Sequence, residues 1–143
     1  MESSTNTKLR VVFNASQKSL NELALNDLLM TGPVVHGTLY NILLNFRSYH
    51  IALTGDIEKM YLQVQITILM LWQKPGHPPA EYGMNTITFG TTCAPFLATR
   101  TLQHLSEDDG KKYSLGKQTV KDFYVDDCLT GGGTLEEAKE KRR

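Results

Sequence analysis

The sequence predicts an α+β fold, an antiparallel sheet with two main helices on one face, and three observations predict it. Apolar runs on both sides of Asp126-Asp127 read as two strands joined at a tight turn, the second ending at Thr130-Gly131-Gly132-Gly133. Leu62 to Ile66 alternates apolar and polar residues, the period of a half-buried strand. Leu39, Ile42, Leu43 and Phe46 recur at helical spacing, as do Leu97, Thr101, Leu102 and Leu105. At 143 residues, 41% of them hydrophobic, the chain is long enough for one domain with a real core.

The elements follow in order. Lys8 to Ala15, a short apolar run with basic flanks, reads as a strand. Gly32-Pro33 breaks the chain before a helix from His36 to Arg47, whose apolar stripe is expected to bury against the sheet, with His36 on its surface. His50 to Thr54 is strand-like and ends at Gly55-Asp56. After Leu62 to Ile66, Ile68 to Trp72 follows almost at once, and Pro75 to Pro79 is a loop by its turn residues. Glu81 to Phe89 returns as a strand leading into Gly90, where glycine permits close approach of a ligand or backbone. Pro95 suits the first turn of a helix running to about Leu105, with Arg100 and Gln103 on its wetter side. Ser106 to Lys112 reads as a mixed-charge loop; its Asp108-Asp109 pair lacks strand flanks and is expected to be a solvated turn. Thr134 to Glu137 has a capping-box pattern and starts a charged helix to Arg143.

Composition narrows the function. Fifteen basic and 15 acidic residues give zero formal net charge, a poor basis for free-standing nucleic-acid binding, although Lys8, Arg10 and Lys18 are candidates for a local basic patch. The two cysteines, Cys93 and Cys128, are too few for a disulfide framework or a four-ligand zinc and read as small buried residues. No stretch reaches the roughly 18 apolar residues of a membrane span. Met1 to Thr7 lacks a hydrophobic signal core, so an intracellular protein is expected.

The acidic residues carry the chemistry. Two adjacent carboxylates repel unless a cation neutralises them, and a divalent metal that prefers oxygen is the usual answer. From the residues of this segment alone, Asp126-Asp127 is either such a site or a solvated hairpin turn. Asp56, at the carboxyl end of its strand, is a second source of charge. Together with Asp126 it could complete a site for two divalent cations roughly 4 Å apart, which requires carboxylates from separate elements.

Tyr124-Val125-Asp126-Asp127 resembles the active-site tetrad of reverse transcriptases, and Asp56 followed five positions later by Tyr61 resembles their first acidic motif. Phe89-Gly90-Thr91-Thr92-Cys93-Ala94-Pro95-Phe96 is similar to their glycine-bearing motif. The whole string, from Arg10-Val11-Val12-Phe13-Asn14-Ala15-Ser16 through Leu25-Asn26-Asp27-Leu28-Leu29 to the tetrad, most resembles the polymerase of Pao/BEL-type long-terminal-repeat retrotransposons, from about Lys8 onward. Four motifs in the right order at plausible separations make the resemblance specific.

The resemblance implies a partial reverse-transcriptase domain: a fingers-side strand and helix over about 8–50, palm over about 51–133, and the start of a truncated helix over 134–143, with no thumb. It implies RNA-directed DNA synthesis by Asp56, Asp126 and Asp127. These carboxylates and the Ile57 carbonyl would hold two magnesium ions, manganese being possible, with no covalent protein nucleophile. Arg10, Tyr61, Phe89, Gly90 and Tyr124 would meet the nucleotide. Arg10 would bind its phosphates, a role that its residue type suits, while its position fits an ordinary exposed strand end equally well. Tyr61 would exclude a 2′-hydroxyl; without the family it reads as a core or strand-edge aromatic. Phe89 matches the retrotransposon version, where viral relatives often carry glutamine. Partners would be an RNA or DNA template with primer, deoxynucleoside triphosphates and the rest of the retroelement polyprotein, in the cytoplasm or a retroelement particle and away from membranes.

Two departures stand out: Asn14 replaces the family's common Asp, and the charged turn expected between Ile66 and Ile68 is missing, which would shorten a hairpin and could slip its register. The alternative is a catalytically inactive remnant of a degenerate retroelement. A third reading, another palm-type metal enzyme such as a nucleotide cyclase, is opposed by Tyr124 and by Phe89-Gly90.

Overall fold

The computed structural model describes residues 12–108 and 115–142, so Arg10 and the first half of the expected first strand lie outside the described residues. Val12 to Ala15 is irregular rather than extended in a sheet, tied down where the Phe13 N–H donates to the Phe89 carbonyl at 3.0 Å. The elements are α1 (Leu25–Leu28), α2 (Leu39–Ser48), β1 (Ile51–Asp56), α3 (Met60–Gln63), β2 (Gln65–Trp72), β3 (Ala80–Thr86), α4 (Ala94–Asp108), α5 (Gly116–Thr119), a 3-10 turn (Val120–Asp122), β4 (Phe123–Tyr124), β5 (Asp127–Gly132) and α6 (Leu135–Arg142). Helices mix with antiparallel strands, so the fold is α+β.

The strands form two sheets, one ordered β1-β5-β4 and one of β2 and β3. The division arises just after β1. Lys59 takes a left-handed backbone (φ 54, ψ 39) and the chain turns helically through α3, so Leu62 and Gln63, expected as strand, are helical. Beyond them β2 pairs with β3 instead of β1.

Where the sequence suggests a lost turn, β2 runs on. Its pairs Gln65↔Thr86 and Ile68↔Met84 leave one extra residue on β2, a β-bulge. Ile66, Ile68 and Met70 remain half-buried, whereas Thr67, Leu69 and Leu71 face solvent, so the irregularity does not break the alternation.

The central core consists of Met60, Ile87, Ala94 and Ala98, with Ile57, Tyr61, Val64, Ile66, Leu97 and Leu102 packed around it. It therefore joins α3, the segment after β3 and the first turns of α4. Helix α2, capped by the Thr38 hydroxyl accepting the Asn41 N–H, buries less than its stripe predicts. Ile42 is buried and Phe46 half-buried, but Leu39 and Leu43 are exposed; the helix packs chiefly against β5, β4 and the 3-10 turn, which cover only part of its stripe. Leu105, expected in the stripe of α4, is also exposed.

Helix α4 continues through Ser106–Asp108, where a loop is expected. Its charges explain the extension: His104 faces Asp108 at 3.5 Å and Glu107 at 3.9 Å, and Arg100 reaches Glu107 at 3.6 Å. Gln103, expected on the wet side, donates to the Val35 carbonyl at 2.6 Å and fixes the approach to α2. At α6 the Thr134 hydroxyl accepts the Glu137 N–H at 3.2 Å, and the Glu137 carboxylate reaches one residue further than a capping box, to the Gly133 N–H at 3.0 Å. That hydrogen bond, ahead of the Lys141 ammonium, holds Glu137 below the usual carboxylate range. No helix among the described residues is long and apolar enough to cross a membrane.

The cysteines differ in reactivity. Cys128 is buried on β5, and burial, followed by the Asp122 carboxylate and against the opposing Lys141, pushes its thiol up to about 11. At pH 8 only about one part in a thousand is thiolate, the reactive form. An aromatic disulfide reagent at pH 8 is therefore expected to label half-buried Cys93 and spare Cys128 until the chain is unfolded. Equal labelling rates in the native chain would contradict the burial of Cys128.

Candidate active site

Asp56 is the last residue of β1 and pairs directly with Asp127, the first of β5. Directly opposed residues share a face, with Cβ atoms about 4.5–5.5 Å apart. Two carboxylates from separate strands are thus neighbours. Tyr124↔Asp127 closes the β4–β5 hairpin, leaving Val125-Asp126 as a two-residue turn. Val125 has φ 59, a left-handed conformation that costs an L-residue about 1–2 kcal/mol and is a true outlier for a β-branched one. Glycine or asparagine ordinarily occupies such a turn position. Strain of this kind clusters at functional sites, and here it adjoins Asp126. The Ile57 N–H donates to the Asp126 carbonyl at 3.1 Å, tying the residue after Asp56 to the hairpin tip.

Asp56 and Asp126 border a cavity of about 790 Å³. Of the candidates drawn from the sequence, Asp56, Ile57, Tyr61, Phe89 and Asp126 line it together. The Tyr61 and Phe89 rings stand 5.1 Å apart, tilted by 47°. Burial first, and the Asp126 carboxylate second, raise the Tyr61 phenol above its ordinary value, so it remains a neutral donor through physiological pH. Asp127, Gly90 and Tyr124 lie outside the cavity wall: Asp127 beside Asp56, Gly90 after Phe89, and Tyr124 against a half-buried His36, whose ring meets it edge-on at 4.9 Å. His36 is therefore a packing partner of the hairpin, not the surface helix residue expected.

Comparison of the chain with family models, with curated proteins and with solved structures returns no match.

The donor set suits one kind of cation. Among the described residues no three His, Cys, Asp or Glu side chains gather into a metal-holding group, so an all-protein cage is absent. Magnesium does not need one: it keeps several waters and is commonly held by one or two carboxylates together with substrate phosphates. Asp56 and Asp126, which border one cavity, are the two carboxylates that could hold such an ion. The Ile57 carbonyl accepts the Met60 N–H at 3.1 Å, which leaves it one lone pair.

Sequence reasoning missed four residues that shape this region. Lys59 and Thr88 line the cavity. Asn26 clamps the glycine loop: its amide donates to the Gly90 carbonyl at 3.0 Å and its oxygen accepts the Thr92 N–H at 3.0 Å. Asp122, buried behind the hairpin, accepts from Thr130 at 2.6 Å and Tyr49 at 3.2 Å. Only the strand-flanked position of Asp122, just before Phe123, hinted at such a role in the sequence.

Proposed function

We propose that the chain carries the nucleotidyl-transfer site of a reverse transcriptase of the Pao/BEL retrotransposon kind, built on a palm with part of the fingers. The observation that carries this reading is the meeting of Asp56, at the end of β1, and Asp126, in the β4–β5 turn, in one cavity with Tyr61 and Phe89, beside a strained hairpin tip. An acidic pair alone is common in turns; an acidic pair that shares a nucleotide-sized cavity with two aromatic rings is not explained by turn preference.

Asp56 and Asp126 would hold two magnesium ions, with Asp127 and the Ile57 carbonyl beside them. Bound metal supplies Lewis acidity and charge neutralisation for in-line displacement at the α-phosphate. The protein's own groups do the rest. The Asp126 carbonyl accepts the Ile57 N–H at 3.1 Å, which ties together the backbone segments that carry the two acids. Tyr61, rigid against Phe89, would exclude a 2′-hydroxyl by bulk and so select deoxynucleotides. The neutral phenol adds no charge to a site already crowded with carboxylates.

The remnant reading is favoured by one observation: β2 runs from Gln65 to Trp72 with only a one-residue bulge where the resembling family has a charged turn. Primer extension on an RNA template with magnesium or manganese separates the two. With zero net charge the chain should grip template weakly, and the expected product is short, non-processive addition. Asp126→Asn should abolish it. Extension that survives Asp126→Asn, or no addition under any metal condition, would leave the remnant reading in place.

A further inference from the structure

We propose that Lys59 and Thr88 anchor the two ends of a deoxynucleoside triphosphate in this cavity, Lys59 its phosphates and Thr88 a hydroxyl of its sugar; the proposal rests on the nucleotidyl-transfer reading. Three observations lead to it.

The first is charge. Among the described residues that line the cavity, Lys59 alone is cationic, and it shares the wall with Asp56 and Asp126. Two divalent cations do not balance two carboxylates and a triphosphate, so a further positive group is required where the phosphate tail lies. A lysine ammonium, a compact point charge on a flexible stem, suits that task. Its ion pair with Glu58 spans 3.5 Å, and the two side chains are 46% and 66% exposed. Such a pair is weak and exchanges readily for a phosphate.

The second is backbone. Lys59 is one of three non-glycine residues with positive φ among those described, and a second, Val125, adjoins Asp126. Left-handed geometry at Lys59 turns the chain away from β1 immediately after Asp56. The lysine and the acid thereby border one cavity instead of continuing along a strand.

The third is an unpartnered hydroxyl. Thr88 is 6% exposed and lines the cavity, and its Oγ1 is buried without a hydrogen-bond partner. Buried polar side chains are ordinarily satisfied, and an exception asks for a ligand. Thr88 precedes Phe89, whose ring with Tyr61 forms the aromatic wall, the side where a sugar would rest. Its residue lines the same cavity, so a sugar hydroxyl resting there is the partner that this oxygen lacks.

Calorimetric titration of the full chain, in magnesium, with tripolyphosphate, dTTP and thymidine separates the two anchors. Lys59→Met is expected to weaken tripolyphosphate and dTTP about tenfold and leave thymidine unchanged, with Lys59→Arg retaining affinity. Thr88→Val is expected to weaken dTTP and thymidine about threefold, spare tripolyphosphate, and leave the melting temperature equal or higher, because it removes an unpaired buried hydroxyl. A residue of merely structural importance would do the reverse.

Unchanged triphosphate affinity in Lys59→Met overturns the lysine's role, and unchanged thymidine affinity in Thr88→Val overturns the threonine's. Failure of the wild-type chain to bind any of the probes at millimolar concentration overturns both. If dTTP binding depends on the metal and falls in Asp126→Asn but not in Lys59→Met, the inference fails while the polymerase reading survives. If tripolyphosphate binding is lost in Lys59→Met yet ignores both metal and Asp126→Asn, Lys59 is a phosphate anchor of a site that is not a polymerase's: the lysine's contact stands and the polymerase reading, with the nucleotide proposal that rests on it, fails.

Discussion

Gly90→Ala is expected to destabilise the chain by about 3–5 kcal/mol, the range of severe backbone and packing lesions. Gly90 has φ +103, where an L-side chain is strained. A Cβ built there would lie 2.0 Å from the Phe13 carbonyl oxygen. Phe13 is poorly placed to yield, since its own N–H is bonded to the Phe89 carbonyl at 3.0 Å, and Gly90 is gripped from the other side by Asn26. Gly76→Ala is the control: φ is +77 but nothing lies within 4 Å, so only the conformational cost of about 1–2 kcal/mol remains. Urea denaturation of both variants isolates the clash as a difference. Equal losses would mean that Phe13 moves freely and that the loop carrying Phe89 is not clamped. A clamped loop matters because Phe89 forms the cavity's aromatic wall.

The hairpin bearing Asp126 was legible because its signal is local: apolar flanks, an acidic pair and a glycine run dictate strand, turn and strand within ten residues. The end of β1 at Asp56 was legible for the same reason. The division into two sheets was not, because it depends on the backbone of Lys59, a residue whose type gives no hint of positive φ. The extension of α4 to Asp108 was hidden in acidic residues that read as loop until their pairing with Arg100 and His104 is seen. Leu39 and Leu43 show the limit of periodicity, which finds a helix face but not how much of that face a small neighbouring surface covers. Asn26 and Asp122 act through partners remote in the sequence or through a buried network, and no spacing rule reveals either. Arg10 lies outside the described residues, so its expected role stands as a proposal.

Asp122→Ala is expected to cost about 3–4 kcal/mol, since it strands two hydroxyls that depend on one buried carboxylate oxygen. Asp122 ends the 3-10 turn and enters β4, Thr130 lies on β5, and Tyr49 follows α2; the three meet at Asp122 Oδ2. The network continues, for the Lys141 ammonium lies 4.9 Å above the Tyr49 ring, donates to the Gly131 carbonyl at 2.8 Å and pairs with Glu137 at 3.4 Å, its side chain only 4% exposed. Helix α6 thus reaches the base of the hairpin through one lysine. Asp122→Asn keeps an acceptor oxygen and should cost less, about 1–2 kcal/mol, the value of exchanging charged for neutral hydrogen bonds. Combining Asp122→Ala with Thr130→Val should cost less than the sum of the single changes, by about 0.5–3 kcal/mol, because both remove the same bond. Denaturant titration of the four proteins in that cycle measures the coupling directly, and strict additivity would show that the two residues do not share their bond in solution. The coupling bears on the site because β4 and β5 are joined only by the pairs Phe123↔Cys128 and Tyr124↔Asp127. With so short a ladder, and a strained Val125 at its tip, the Asp122–Thr130 bond is a further tie that holds the hairpin, and with it Asp127 opposite Asp56 and Asp126 in the turn beside them.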